Sequence, residues 1–257
     1  MKKKSVSSNV EWKKWGEEDP LFGVASWKGK AKGETDPWTD GAFYTVGESD
    51  WQDALAHWER YGLSHEHCLE IGCGAGRLTR PMARSFKKVH ALDVSEGMLA
   101  YARAHVNDPS VTFHLTSGTE IPLPDHSINA VFSTHVFQHL DPLSAASDYF
   151  AEVARVLAPG GTAMIHLPIY HWPAMPRVFG LLYRLRKAIG GLKAWTHRRL
   201  IAHGLAKPIM RMTYFPLAYV FSSLPEYGLT DIEIIVFSME SNRDPHPFVL
   251  ARKTRPA

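Results

Sequence analysis

Three glycines that alternate with other residues are the part of this sequence best suited to binding a ligand. Gly72, Gly74 and Gly76 follow a short apolar run, and Glu70 stands just ahead of them. Glycines allow a sharp backbone turn and bring N–H groups close to a ligand. Asp93 comes 17 residues after Gly76, at the end of the next apolar run. A carboxylate there can accept hydrogen bonds from both hydroxyls of a ribose, so the pattern predicts a nucleoside site.

The spacing of these glycines indicates which nucleoside cofactor is bound. The dinucleotide fingerprint is G-x-G-x-x-G, whereas this loop reads G-x-G-x-G. The carboxylate of Glu70 would repel a pyrophosphate and suits a ligand that carries a cationic amino group. The residues therefore favour the methionine end of S-adenosylmethionine over NAD, and an NAD-dependent oxidoreductase with a divergent glycine loop is the rival hypothesis.

Two histidines are the predicted catalytic residues. His135 and His139 follow the fourth predicted strand, so they border the site at its carboxyl end. A histidine near its ordinary pKa of about 6.5 could take a proton from a hydroxyl group of an acceptor. His166, Tyr170 and His171, just past the fifth strand, are weaker candidates. No histidine pair or acidic cluster has the spacing of metal ligands, so no metal is predicted.

The elements that position these residues alternate between strands and helices from His65 onward. Strands are predicted at His67–Ile71, Lys88–Asp93, 111–116, 129–133 and 162–167, and helices at 77–86, 96–106 and 142–157. A Pro-Gly-Gly turn at 159–161 is predicted to separate the last helix from the fifth strand. This order predicts an α/β fold with a Rossmann-like doubly wound sheet that is mostly parallel.

The pattern stops after Pro168 and returns with a helix at 217–226 and strands at 231–237 and 248–252. We expect the last two strands, joined by a loop with Pro245 and Pro247, to form an antiparallel hairpin at the sheet edge. The predicted organisation is an N-terminal Trp-rich segment and lid (1–60), a cofactor-binding core (61–168), a basic helical cap insertion (169–214) and the C-terminal part of the core sheet (215–257). No long helix is expected before about Ser49.

The Trp-rich N-terminal segment has two interpretations. It could pack its rings on the domain surface, or it could close over the cofactor as a lid. Phe43, Tyr44 and Trp51 are the proposed lid residues, since aromatic faces can attract a sulfonium cation as they attract ammonium groups.

Residues 67–167 resemble a class I S-adenosylmethionine-dependent methyltransferase, in the broad group that includes ubiquinone/menaquinone and small-molecule methyltransferases. The stretch 68–76 resembles the first motif of the family, which wraps the methionine moiety, and 90–99 resembles the second. The stretches 116–125 and 129–140 are similar to the segment that reaches the adenine and to the fourth motif. Two positions depart from the family pattern: Ser117 and Asn129 stand where it often has Asp.

The resemblance implies roles for individual residues. Asp93 would bind the ribose, and Val94 and Met98 would pack near the adenine. Arg77 would either begin a helix or face the carboxylate of the cofactor. The full predicted cofactor-binding set is Glu70, Gly72, Cys73, Gly74, Gly76, Arg77, Asp93, Val94, Met98, Gly118, Thr119, Glu120 and Ser133.

Composition limits the class of protein. The chain has 257 residues, a formal charge of +3, 45% hydrophobic residues and 21% charged residues, as expected for a globular protein with a sizeable core. No apolar run reaches the roughly 18 residues of a membrane-spanning helix, and the basic start lacks the apolar stretch of a secretory signal. Cys68 and Cys73 suggest neither a disulfide framework nor a zinc site, so we expect a cytoplasmic protein.

The segment from Gly160 to Leu224 is unusually basic, with nine Lys and Arg residues and no Asp or Glu. Residues 177–211 contain all nine, and Val178, Leu182 and Leu185 recur there at helical spacing. The segment could pack as an amphipathic helix with a solvated basic face. Alternatively it could contact an anionic membrane, capture an acidic or amphiphilic substrate, or bind RNA. Its apolar residues favour an apolar acceptor or lipid over RNA.

The sequence therefore predicts a methyltransferase that transfers the methyl group of S-adenosylmethionine to a small, fairly apolar acceptor, preferably at oxygen. The alternatives are a methyltransferase acting on RNA or on a membrane-associated lipid-like substrate through the basic cap, the NAD-dependent oxidoreductase, and a non-catalytic binding protein.

Overall fold

A computed structural model describes residues 8–140, 143–170, 189, 193, 195–197, 199–200, 212–239 and 244–255. Its main element is a seven-stranded sheet, in the order β3-β2-β1-β4-β5-β9-β8. The strands of this sheet are β1 His67–Ile71, β2 Lys88–Asp93, β3 Val111–Leu115, β4 Ile128–Ser133, β5 Leu157–His166, β8 Leu229–Ser238 and β9 Pro245–Lys253. The first five are parallel, whereas β9 is antiparallel to both β5 and β8. The mostly parallel sheet and the antiparallel edge hairpin are confirmed.

The strand order reverses at β1, which pairs with β2 on one side and β4 on the other. In an open α/β sheet, ligands bind outside the carboxyl ends of the strands at such a switch point. The glycine loop follows β1, Asp93 ends β2, and His135 follows β4. The topology therefore brings all three to one edge of the sheet.

Helices cover both faces of the sheet. They are α1 Asn9–Glu18, α2 Pro20–Val24, α3 Asp40–Tyr61, α4 Thr79–Ser85, α5 Glu96–His105, α6 Leu143–Val156 and α7 Leu217–Ser223, with short 3-10 helices at Phe137–His139 and Pro225–Tyr227. Successive residues of a strand point to opposite faces. Thus Val131 packs with Phe150 of α6, whereas Phe132 packs with Trp51 and Trp58 of α3.

The expectation that no long helix occurs before Ser49 is wrong. The helix α3 has 22 residues and begins at Asp40, where the side chain of Thr39 accepts a hydrogen bond from the Ala42 N–H. The helix α1 adds another ten residues. Two early glycines in α3 hide its start in the sequence, but tertiary packing of Trp51 and Trp58 supplies the stability that local propensity lacks.

Two local predictions are also corrected. The Pro-Gly-Gly segment at 159–161 lies within β5 instead of forming a turn before it, and the register between β4 and β5 shifts at this point. Pro245 and Pro247 lie in β9 instead of in the loop before it. The irregular pairing of β5 with β4 accommodates the Pro-Gly-Gly segment.

The inserted segment leaves and re-enters the core at one place. Two short strands, β6 Ile169–Tyr170 and β7 Phe215–Pro216, pair in parallel and hold its ends side by side. The predicted cap helix around Val178–Leu185 and most of its basic residues lie outside the described residues. Of those that are described, Lys193 and Arg199 are exposed. Within the described ranges, the helices are all too short or too polar to cross a bilayer.

Candidate active site

The loop after β1 is folded against the end of β2 by backbone hydrogen bonds. The N–H groups of Gly72 and Cys73 both donate to the carbonyl oxygen of Leu92, at 2.7 and 3.0 Å. The N–H of Gly74 donates to a carboxylate oxygen of Asp93 at 2.8 Å. The loop and Asp93, which the sequence analysis proposed as partners, therefore form one hydrogen-bonded unit.

Glycine is required in this loop for two reasons. Gly72 and Gly74 have φ values of +77° and +53°, which side chains rarely adopt. A Cβ atom at Gly72 would lie 2.1 Å from a methyl group of Val136, and one at Gly74 would lie 2.4 Å from a methyl group of Val24. Val136, after β4, and Val24, in α2, therefore pack so closely on the loop that a side chain at Gly72 or Gly74 would clash with them.

Asp93 is buried and held by backbone donors. Besides Gly74, the N–H of Ser95 donates to its carboxylate at 2.9 Å. Burial raises the pKa of Asp93, although hydrogen bonds from the backbone of Ser95, Gly74 and Val94 oppose the shift. A carboxylate has about four lone-pair sites, so capacity remains for a ribose hydroxyl.

A cavity of about 300 Å³ opens beside this unit. Eight of the fifteen predicted site residues line it: Gly72, Gly74, Arg77, Asp93, Val94, Met98, His135 and His139. The fold thus brings the residues predicted to bind the cofactor near Asp93 together with the predicted catalytic histidines. Their roles toward a cofactor stay predictions.

The other seven predicted residues do not line this cavity: Glu70, Cys73, Gly76, Gly118, Thr119, Glu120 and Ser133. Ser133 is buried and donates to the carbonyl oxygen of Ile71 at 3.0 Å, so it joins β4 to β1. Cys73 is buried as well. Ser133 therefore has a structural role, whereas Glu120 is exposed at the surface.

Glu70 lies behind the glycine loop. The hydroxyl of Thr79 donates to its carboxylate at 2.6 Å. Burial raises the pKa of Glu70 to about 7. The sequence analysis placed this carboxylate in contact with the cationic amino group of a cofactor, but in the structure it is held inside the protein by α4.

Arg77 pairs with Asp50 of α3 in a buried ion pair. Both residues line the cavity. The sequence left two roles open for Arg77, and the structure adds a third, since this side chain joins the loop after β1 to α3. Asp50 was not anticipated, because its partner lies 27 residues away.

In the region predicted to reach the adenine, Thr116 lines the cavity, whereas residues 118–120 do not. Thr116 also holds this region in place. Its hydroxyl donates to the carbonyl oxygen of Glu120 at 2.9 Å. The hydroxyl of Tyr149 donates to the carbonyl oxygen of Gly118 at 3.1 Å. The turn at 116–120 is therefore fixed by internal hydrogen bonds.

His135 and His139 have different surroundings. His135 has a φ of +56°, and burial holds its pKa well below its usual value. It is therefore neutral at physiological pH, but it is a weaker base than a free imidazole. His139 is buried, with its ring 4.7 Å from the ring of Trp12 and a ring nitrogen 2.9 Å from Gln138 Nε2. These contacts indicate that His139 orients the cavity wall.

The N-terminal segment contacts the cavity, but not through the proposed lid residues. Phe43, Tyr44 and Trp51 are buried in packing between α3 and the core, so the lid role assigned to them is wrong. Besides Asp50, the N-terminal residues that line the cavity are Ser8, Asn9, Trp12 and 23–27, from α1, α2 and the residues that flank them. These residues form no recognisable glycine or charge motif. The high Trp content of the segment is the one sequence feature that draws attention to it.

A cluster of three histidines meets the same cavity through His135, which is the member that lines it. One side-chain nitrogen from each of His135, His166 and His246 lies within 4.8 Å of the others. Spacing along the chain does not reveal this set, because the three residues are distant in the sequence. His135 and His166 are among the candidates that the sequence indicates, whereas His246 is not.

Comparisons with known proteins agree with the geometry. Residues 69–165 match the model of a family described as a methyltransferase domain. A malonyl-[acyl-carrier protein] O-methyltransferase from Hahella chejuensis is 37% identical over 105 residues, which are 38% of this chain and 37% of that protein. A demethylmenaquinone methyltransferase from Tropheryma whipplei is 31% identical over 117 residues, or 43% of this chain and 47% of that protein. The match thus spans less than half the length of these relatives.

Solved structures share the fold at low sequence identity. Phosphoethanolamine N-methyltransferase 1 of Haemonchus contortus is 12% identical with a TM-score of 0.59, and the match covers 97% of this chain and 49% of that one. A methyltransferase from Aquifex aeolicus is 18% identical with a TM-score of 0.52, over 84% of this chain and 99% of that one. At these identities the likeness shows the fold alone.

Proposed function

We propose that the whole chain, of which residues 69–165 match a methyltransferase domain, transfers the methyl group of S-adenosylmethionine to an oxygen of a small, fairly apolar acceptor. One observation carries this proposal. The cavity that Gly72, Gly74 and Asp93 border continues without a break to His135 and His139. A single space can therefore hold a nucleoside at one end and an acceptor at the other.

The cofactor end of the cavity has the features that a nucleoside needs. Asp93 offers lone pairs to the ribose hydroxyls, while Val94 and Met98 supply apolar contacts beside it. We assign the methionine moiety to the turn at Gly72–Gly74, where backbone atoms reach the cavity surface. The sulfonium would then lie near the carboxyl end of β4, close to His135.

The acceptor end is mostly apolar. Its surface includes Trp12, Trp27, Val136, Leu140 and Met239. Methyl transfer between two bound molecules depends largely on alignment and near-contact distance, which a narrow apolar cavity provides. A flat aromatic or short aliphatic acceptor fits this surface better than a long charged polymer does.

Oxygen is proposed as the acceptor atom on two grounds. A neutral imidazole at His135 can accept a hydrogen bond from a hydroxyl group, since burial keeps it unprotonated. One relative, similar over 105 residues, is named an O-methyltransferase. The low pKa of His135 makes it a poor proton acceptor by itself, so we assign it to positioning of the acceptor oxygen.

Turnover with defined acceptors tests this proposal. The full chain is incubated with S-adenosylmethionine and a panel of small aromatic and aliphatic alcohols, phenols, carboxylic acids and amines. We expect S-adenosylhomocysteine to form with one oxygen class, and the product mass to increase by one methylene group. Asp93→Ala should suppress this turnover. Methylation confined to the amines would overturn the oxygen assignment, and S-adenosylhomocysteine formation with none of the panel would overturn the small-acceptor assignment.

A further inference from the structure

We propose that His135, His166 and His246 bind a divalent transition-metal ion of the Zn²⁺ type at the wall of the cavity. The observation behind this proposal is the convergence of three imidazoles, from three parts of the chain, on one point.

The sheet topology explains the convergence. His135 follows β4, His166 is the last residue of β5, and His246 lies near the start of β9. These three strands are neighbours, and because β9 is antiparallel to β5, its beginning meets the end of β5. The ring centroids are 4.6 Å apart for His135 and His166, and 5.0 and 5.4 Å from His246.

The distances suit metal binding after a small adjustment of side-chain rotamers. One nitrogen from each ring lies within 4.8 Å of the other two. The nitrogens around a tetrahedral Zn²⁺ ion with bonds of about 2.0–2.1 Å are about 3.3 Å apart. Closing this gap requires the three rings to rotate toward one point.

A buried nitrogen without a partner is a second, independent indication. His166 is 3% exposed, and its Nδ1 atom has no hydrogen-bond partner among the residues that the structure describes. A buried polar atom is costly unless something satisfies it. A metal-bound histidine commonly makes a hydrogen bond with its second ring nitrogen, which fixes the orientation of the ring. An ion bound to His166 would therefore hold in place a ring that hydrogen bonds at Nδ1 do not.

Charged side chains near the cluster partly oppose and partly favour a cation. The guanidinium of Arg77 acts on His135 and His246 and would oppose a cation. Its charge is countered by Asp50, and Asp244 adds a second carboxylate near His246.

The ion would face the acceptor end of the cavity. His135 lines the cavity and presents the cluster to it. Three histidine ligands leave a fourth tetrahedral position open, which is the arrangement of catalytic zinc sites. This role, unlike the metal site itself, rests on the proposed function. With its lone pair on the ion, His135 would position the acceptor oxygen through the metal instead of by accepting a hydrogen bond from it. The acceptor hydroxyl would bind at the open position, and its proton would pass to water because coordination lowers its pKa. The oxygen would then attack the methyl carbon while the electron pair of the C–S bond moves to sulfur.

Metal titration of the full chain tests the site. Protein freed of metal by a chelator and dialysis is titrated with Co²⁺, which reports coordination by visible absorption, and then with Zn²⁺ as competitor. We expect one ion per chain and the intense bands of a low-coordinate Co²⁺ site, which Zn²⁺ abolishes. His166→Gln and His246→Gln should each weaken binding by at least about tenfold, the lower end of what even supporting residues of metal sites contribute.

His114→Gln is the matched control. His114 also lies on a strand, and its Nε2 atom is 3.0 Å from Nδ1 of His90. This variant therefore tests whether the ion binds to any close pair of histidines instead of to the cluster. We expect this variant to bind as the parent does. Absence of Co²⁺ binding to the parent, equal binding in all variants, or loss of binding in His114→Gln alone would each overturn the proposal.

Two further measurements keep the test decisive if a variant folds poorly. Ring nitrogen NMR signals of the unmodified chain should shift for three histidines when Zn²⁺ is added, and a response spread over other histidines contradicts the site. Titration with S-adenosylhomocysteine is done in parallel. Cofactor binding without metal binding rejects the ion and leaves the methyltransferase proposal standing, whereas metal binding without cofactor binding does the reverse.

Discussion

The Gly74 N–H donates to the Asp93 carboxylate at 2.8 Å, and this bond joins the loop after β1 to the end of β2. The ribose-binding acid and the glycine loop are therefore one structural unit. A change in either residue is expected to disturb the other, so the predictions below use variants that separate steric effects from backbone effects.

Substitution in the glycine loop should weaken cofactor binding. In Gly74→Ala the new methyl group meets Val24 at 2.4 Å, and the φ of +53° adds strain of about 1–3 kcal/mol. We expect S-adenosylhomocysteine affinity to fall at least about tenfold, which corresponds to 1.4 kcal/mol. Calorimetric titration measures this change.

A double variant and a control divide the effect. Gly74→Ala with Val24→Ala removes the steric contact and keeps the backbone strain, so it should recover part of the affinity. Gly33→Ala has a similar φ of +82° but open space around it, and it should leave binding unchanged. Full binding by the single Gly74→Ala variant would show that the loop is not close-packed as described.

Contact between α1 and α5 should control closure of the cavity. A Cβ atom at Gly97 would lie 2.6 Å from the carbonyl oxygen of Gly16. Alanine normally stabilises a helix by up to about 1 kcal/mol relative to glycine, but here the backbone clash should displace α1. We expect Gly97→Ala to weaken cofactor binding and to speed proteolysis before residue 25, while Gly41→Ala, at an open position in α3, does neither. Unchanged proteolysis in Gly97→Ala would refute this contact.

Burial of Glu70 predicts a pH dependence of stability. Its pKa is raised from 4.5 to about 7, so the folded protein binds a proton more tightly than the unfolded chain does. The contribution of Glu70 to the free energy of unfolding should therefore decrease as pH rises from about 4.5 to 7 and then level off, and the difference between the parent and Glu70→Gln isolates it from the buried histidines, whose lowered pKa values act in the opposite direction. Glu70→Gln should lack this component and be more stable than the parent above pH 7 by roughly 1–3 kcal/mol.

Denaturant unfolding at several pH values measures this difference. Glu66→Gln is the control, since Glu66 is exposed and pairs with Lys87 at the surface. It should keep the pH dependence of the parent. A Glu70→Gln variant whose stability follows the parent at every pH would contradict the shifted pKa.

The parts of the fold that were predictable from sequence are those set by local patterns. Apolar runs of five or six residues define β1 and β2 at the bounds found in the structure. The glycine loop and Asp93 could be paired because a strand, a turn and a helix connect them within 24 residues. The chemistry of the loop follows from residue type alone, since few side chains tolerate its backbone.

The rest depended on contacts between distant residues. His246 meets His166 across 80 positions through antiparallel pairing of β9 with β5, and no spacing rule applies to such a pair. Trp12 reaches the cavity because α1 packs on α5, which composition does not reveal. Glu70 was predicted to contact the ligand because the sequence does not show that α4 packs against it. Only the fold reveals the hydrogen bond from Thr79 to its carboxylate.

Calorimetric titration of the parent chain and of Asp93→Ala with S-adenosylhomocysteine and with NADH tests the central claim most directly. We predict that the parent binds S-adenosylhomocysteine and not NADH, and that Asp93→Ala weakens this binding by roughly 1–3 kcal/mol, the contribution of hydrogen bonds to a charged group. Asp108→Ala, in the loop before β3 at the opposite edge of the sheet, should bind as the parent does. Equal affinity in the parent and Asp93→Ala, or binding of NADH alone, would contradict the account.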